Sequence, residues 1–130
     1  MAKHVKSITY GPKIEAVKDG RCTQTIRTGR GVSVGDEILF HGWSGRPYRS
    51  KWDWRKRVVV TECLDIYISQ NHIGIWERNI YFKYGWKKLF CDKLAALDFI
   101  DPPTGEALRD VLFKLNGIPK EPVPAQIIRW

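Results

Sequence analysis

The sequence has no Cys-x-x-Cys pair, and its three cysteines, Cys22, Cys63 and Cys91, stand far apart. That excludes a zinc ribbon and a thioredoxin-like redox motif. The three histidines, His4, His41 and His72, show no ligand spacing, so neither a metal nor another cofactor is expected. Free, reduced thiols fit a reducing compartment. No apolar run approaches the ~18 residues of a membrane span, and MAKHVKSITYG has no signal-peptide pattern. A cytoplasmic location and no membrane partner are the expectations. There is no internal repeat, no low-complexity tract and no linker, so residues 1–130 are expected to form one domain. Acidic residues are also scarce: 14 Asp and Glu face 22 Lys and Arg, for a net charge of +8. An excess of this size favours a polyanionic partner. Composition does not choose between nucleic acid and an anionic membrane surface; a membrane reading would want a basic amphipathic helix or an apolar span. No obligate protein partner is implied.

Local patterns predict an α+β chain. Lys3–Thr9 alternates like a short strand. Pro12 suits the first turn of a helix over Pro12–Lys18, with Ile14 and Val17 as its inner stripe and Gly20 as its left-handed stop. Cys22–Arg27 reads as a strand, Glu37–His41 as another. Val58–Thr61 predicts a buried strand running on toward Ile68. Ile73–Tyr84 is ambiguous. Trp86–Leu97 has helical spacing, with Trp86 expected in the core. The clearest helix follows Asp101 or Thr104 as cap, with Leu108, Val111, Leu112 and Leu115 on one stripe. Ala125–Trp130 reads as a closing strand.

Two stretches can carry chemistry. In GRCTQTIR, period 2 places Thr23, Thr25 and Arg27 on one strand face, and Cys22, Gln24 and Ile26 on the other. Such a face is unremarkable in solvent. In a cleft, its hydroxyls can donate to phosphate or base acceptors and its guanidinium can bind an anion. The second stretch, WSGRPYRSKWDWRKR from Trp43 to Arg57, holds three of the six tryptophans and six Lys or Arg against one Asp. Its second half can be a strand with Trp52, Trp54 and Lys56 on one face, and Lys51, Asp53, Arg55 and Arg57 on the other. Either the tryptophans pack on the body and the charges are solvated, or rings stack on bases while cations meet phosphates. Trp43, Arg46, Tyr48 and Arg49 are expected to be more exposed than Trp52 or Trp54. IYFKYGWKK, Ile80–Lys88, raises the same question, with Phe82 and Trp86 expected in the core. Asp36 is expected to stabilise a turn.

GRCTQTIR, VGDEILF, ALDF, the late amphipathic helix and the closing IIRW, in that order, resemble the ASCH domain of the PUA-like superfamily. The resemblance touches roughly Pro12 to Trp130 through short motifs, and Val58–Lys93 carries none. It implies a small PUA-like β-barrel with flanking helices and a cleft between them. PUA-like domains commonly bind RNA or modified bases. Some bacterial ASCH proteins are amidohydrolases acting on N4-acetylcytidine, and one is reported as a ribonuclease. In the amidohydrolase pattern G-x-K-T-x-T-x-R, Thr25 matches the second threonine and Asp98 falls at or near the late acid, where Glu is usual. The lysine position is Cys22. A thiol cannot supply that positive charge.

The resulting expectation is an RNA-binding or single-stranded nucleic-acid-binding domain. Its candidate contacts are Arg21, Thr23, Arg27, Trp43, Arg46, Tyr48, Arg49, Lys51 and Arg55. The alternative is a hydrolase acting on a modified nucleoside or RNA, with Thr25, Asp98 and Cys22 as candidate catalytic residues. A third class is a protein-interaction module that uses exposed tryptophans as anchors.

Overall fold

In the computed structural model, residues 1–47 and 49–130 are described. These residues form an α+β fold, with eight strands in two sheets and three helices among them. The strands are β1 (Lys3–Ser7), β2 (Gln24–Thr28), β3 (Glu37–Trp43), β4 (Trp52–Val59), β5 (Glu62–Ile68), β6 (His72–Glu77), β7 (Ile80–Gly85) and β8 (Val123–Arg129). The helices are α1 (Gly11–Lys18), α2 (Leu89–Leu97) and α3 (Gly105–Asn116). One sheet runs β1-β3-β4, with β1 parallel to β3; the other runs β2-β8-β5-β6-β7. None of the helices among the described residues is long and apolar enough to cross a membrane.

The two faces of the five-stranded sheet bury two cores. Ile26, Ile66, Ile68, Ile73, Ile75 and Ile127 pack with Trp86, which follows β7, and with Leu94 of α2 and Leu108 and Leu112 of α3. Ile128 and Cys63 face the other way, toward Ile38, Phe40, Trp54 and Val58 of the first sheet and Ala16 and Val17 of α1. Adjacent strand residues therefore serve different cores, as period 2 requires.

The strand expected to continue from Val58 to Ile68 is two strands in different sheets. Val60 exchanges backbone bonds with Gly35 and Asp36, whereas Thr61 donates to Arg129 of β8. The chain thus hands over between sheets at Val60–Thr61. Val59, expected to be buried, is 57% exposed because alternation turns it outward. Ile73–Tyr84 resolves into the β6–β7 hairpin, turned by Arg78 and Asn79 at positive φ. Phe82, expected in the core, is exposed on edge strand β7, while Trp86 is buried. Thr104 caps α3 by accepting from the Ala107 amide. Leu115, expected on the buried stripe, is largely exposed.

Asp36 has the structural role expected of it. Its carboxylate accepts from the amides of Ala2 and Ser33 and contacts His4 Nε2 at 2.9 Å. The His4 contact and these amides hold the Asp36 carboxyl down at about 2.

The α2–α3 junction admits only glycine. A Cβ on Gly105 would lie 1.9 Å from the carbonyl oxygen of Trp86 and 2.5 Å from Cys91 Cβ. Gly105→Ala is therefore expected to lower the unfolding free energy by about 1–3 kcal/mol. Gly31→Ala, whose Cβ would meet nothing within 4 Å, should change it by less than about 0.5 kcal/mol. Urea unfolding followed by tryptophan fluorescence compares the two.

Candidate functional site

Helix α1 turns a lysine inward. Lys13, Ala16 and Val17 share one face at i, i+3 and i+4, and all three are buried. The ammonium of Lys13 meets two groups from distant parts of the chain. It lies 2.9 Å from Asp98 Oδ1, and it donates to Thr25 Oγ1 at 3.1 Å. Lys13, Thr25 and Asp98 are each at most 5% exposed.

Local structure fixes both partners. Thr25 sits in edge strand β2, paired with Ile128 of β8. Asp98 is the C-terminal cap of α2, and the helix ends there in a Schellman turn. The Ile100 amide donates to Ala95 and the Phe99 amide to Ala96. Phe99 takes the left-handed position at φ 57°, where glycine is usual. Gln24 fastens this helix end to β2: its amide nitrogen donates to Leu94 O at 3.2 Å, and its oxygen accepts from Arg129.

Asp98 occupies an unfavourable place for a carboxylate. It faces the negative end of a helix dipole, and burial pushes its carboxyl above the usual range, against the pull of Lys13, Arg27 and Gln24. Although Lys13 is close, Oδ1 has no donor in hydrogen-bond geometry. The oxygen retains accepting capacity.

These groups lie at the floor of a cleft of about 590 Å³. Lys6 and Thr9 from the β1 region, Arg27 from β2, and Val111 and Leu115 from α3 line its walls. Arg27 donates through Nε to Thr25 Oγ1 at 3.2 Å and through Nη2 to the Ser7 carbonyl at 2.7 Å. Burial pushes the Arg27 guanidinium down, and Asp98 opposes this. The Thr25 oxygen thus accepts from two cationic side chains and keeps its own proton to donate.

The other candidates divide. Cys22 is buried and does not line the cleft; its thiol points to the carbonyls of Gln24 and Leu97, and burial pushes it up. It is held as a thiol, not as a nucleophilic thiolate. Arg21 is exposed and pairs with Asp19 at 2.8 Å. Thr23 is exposed and outside the cleft lining. The basic aromatic stretch forms the β3–β4 hairpin. Ser50 ties its tip, accepting from the Gly45 amide and donating to the Arg46 carbonyl. Arg46, Arg49 and Lys51 are exposed there, and Pro47 lines the cleft. Tyr48 lies outside the described residues.

The tryptophans of this hairpin are largely engaged. Trp52 stacks on His41 at 3.8 Å, and the exposed Arg55 sets its guanidinium 4.9 Å from the same ring. Trp43 was expected to be freer, but it is half-buried like Trp52 and meets His41 edge-on. Trp54 is buried across Gly42 of the neighbouring strand.

Lys13 is the member of the buried cluster with Thr25 and Asp98 that sequence reasoning missed. Its signal was the i, i+3, i+4 set Lys13–Ala16–Val17, which competes with the more apolar Ile14–Val17 pair.

No family model matches the chain, and neither does any curated protein or solved structure.

Lys13→Met would leave Asp98 buried without its cation. The expected loss is about 3–5 kcal/mol of unfolding free energy. Adding Asp98→Asn should recover much of it. A double variant whose loss equals the sum of the single losses would contradict the coupling.

Proposed function

We propose that this chain binds single-stranded nucleic acid, with one unpaired base in the Thr25–Asp98 cleft and the flanking backbone on the β3–β4 hairpin tip. One observation carries the reading: Pro47, from the same loop as Arg46 and Arg49, is part of the cleft wall. The groups suited to a base and those suited to phosphates are therefore neighbours. A base edge needs fixed donors and acceptors. The Thr25 hydroxyl, the Arg27 guanidinium and Asp98 Oδ1 offer both. Exposed Arg46, Arg49 and Lys51 are placed to neutralise phosphates. The order of the ASCH-like motifs agrees with this reading. In it, the two sheets correspond to a PUA-like barrel and the cleft to the space beside it.

A second reading, hydrolysis of an acylated nucleoside, is favoured by the Lys13 Nζ to Thr25 Oγ1 contact of 3.1 Å. Lys13 brings an amine to the threonine from α1, although Cys22 stands at the motif's lysine position. In this reading Lys13 acts as the general base toward the Thr25 hydroxyl. The Thr25 oxygen then adds to the acyl carbon as its proton passes to Lys13. That proton goes on to the leaving nitrogen as the C–N bond breaks, and water hydrolyses the resulting ester. Arg27 is positioned to stabilise negative charge at the reacting centre.

Binding of short single-stranded RNA and DNA at several salt concentrations tests the first reading. Three phosphate contacts give a slope of log K against log salt of about −2. Arg46→Ala with Arg49→Ala should make it shallower by about 1.4. A flat salt response in the unmodified protein contradicts the reading. Turnover of N4-acetylcytidine that survives Thr25→Ala contradicts the second.

A further inference from the structure

The charge inside the cleft says more about its occupant. Four ionisable side chains line it: Lys6, Lys13, Arg27 and Asp98. Asp98 is taken by Lys13 at 2.9 Å. Neither Lys6 nor Arg27 has a carboxylate within ion-pair distance among the described residues. Arg27 instead spends Nη2 on a neutral carbonyl and Nε on a hydroxyl. Lys6 is half-buried beside it. Both cations are disfavoured there, Lys6 by burial and then by the charge of Arg27, and Arg27 by burial. Three cations, Lys6, Lys13 and Arg27, face one partly dehydrated space with Asp98 as the one carboxylate acting on them, an arrangement that an anion would complete.

Resting on the reading of the cleft as a base-binding site, we propose that its occupant carries a phosphomonoester, held between Lys6 and Arg27 while the base reaches Thr25 and Asp98. A phosphomonoester carries close to two negative charges at neutral pH, which matches the two unpaired cations. An internal phosphodiester carries one. With Nε and Nη2 engaged, Arg27 keeps Nη1 to donate to a phosphate oxygen, and the lysine beside it adds a mobile point charge. The cleft, at about 590 Å³, is of the size of small-ligand pockets. The chemistry is shared by a free nucleoside monophosphate and by the phosphorylated end of a strand.

Calorimetric titration distinguishes them. The probes are the four ribonucleosides, their 5′- and 3′-monophosphates, and tetranucleotides with and without a terminal phosphate. A monophosphate is expected to bind at least about tenfold tighter than its nucleoside if the free nucleotide is the source. If a strand end is the source, the same gap appears only between phosphorylated and unphosphorylated tetranucleotides. Lys6→Met should close the gap, whereas Lys3→Met, which removes an equal charge at the start of the same strand, should leave it open. A gap that persists in Lys6→Met, or closes equally in Lys3→Met, overturns the assignment. Equal affinity of phosphorylated and unphosphorylated ligands overturns it too, while leaving the base-binding reading intact. Absence of binding by every probe overturns both.

Discussion

A lysine and an aspartate meet in the interior, and the neighbouring structure is arranged around that meeting. Charges are costly to bury singly, and a buried pair is worth its desolvation only when held in good geometry. Here the geometry requires three segments to converge: α1 for Lys13, β2 for Thr25 and the end of α2 for Asp98. Gln24 joins two of them by bonding Leu94 O from β2. Phe99 accepts a left-handed backbone to complete the helix end. The same convergence leaves a cleft whose floor is polar and whose α3 wall contributes Val111, Leu112 and Leu115.

Period and turn chemistry made much of the fold legible. The amphipathic stripe and capping threonine gave α3, alternation gave β2 and β4, and Gly20 marked the end of α1 with φ 85°. The change of sheet at Val60–Thr61 had no local signal, because both segments are β-prone and only tertiary pairing separates them. In the site, Thr25, Arg27 and Asp98 were legible, since strand alternation and motif order single them out. Lys13 was not. A lysine near the start of a short helix normally reads as solvated, and what buries it is a carboxylate 85 residues away in sequence, beyond any local pattern.

The aromatic residues change meaning in three dimensions. In sequence the Trp43–Arg57 stretch is the most suggestive stacking surface. Folded, Trp54 belongs to the core and Trp52 lies against His41 and Arg55, so the hairpin offers cations more than free rings. A more open aromatic surface lies on the β5–β7 region, where Trp76 is 60% exposed and sits 5.1 Å from Tyr81, with Arg30 over Tyr67. The cations of the hairpin tip and the polar groups of the cleft thus belong to adjacent elements, joined at Pro47.

Amide chemical-shift mapping with a short single-stranded RNA tests the central claim most directly. The account predicts that the largest changes fall on Lys13, on Thr25–Thr28, around Asp98 and along the β3–β4 hairpin tip. Changes confined to Tyr67, Trp76 and Tyr81, with the Lys13–Thr25–Asp98 cluster unmoved, would contradict it.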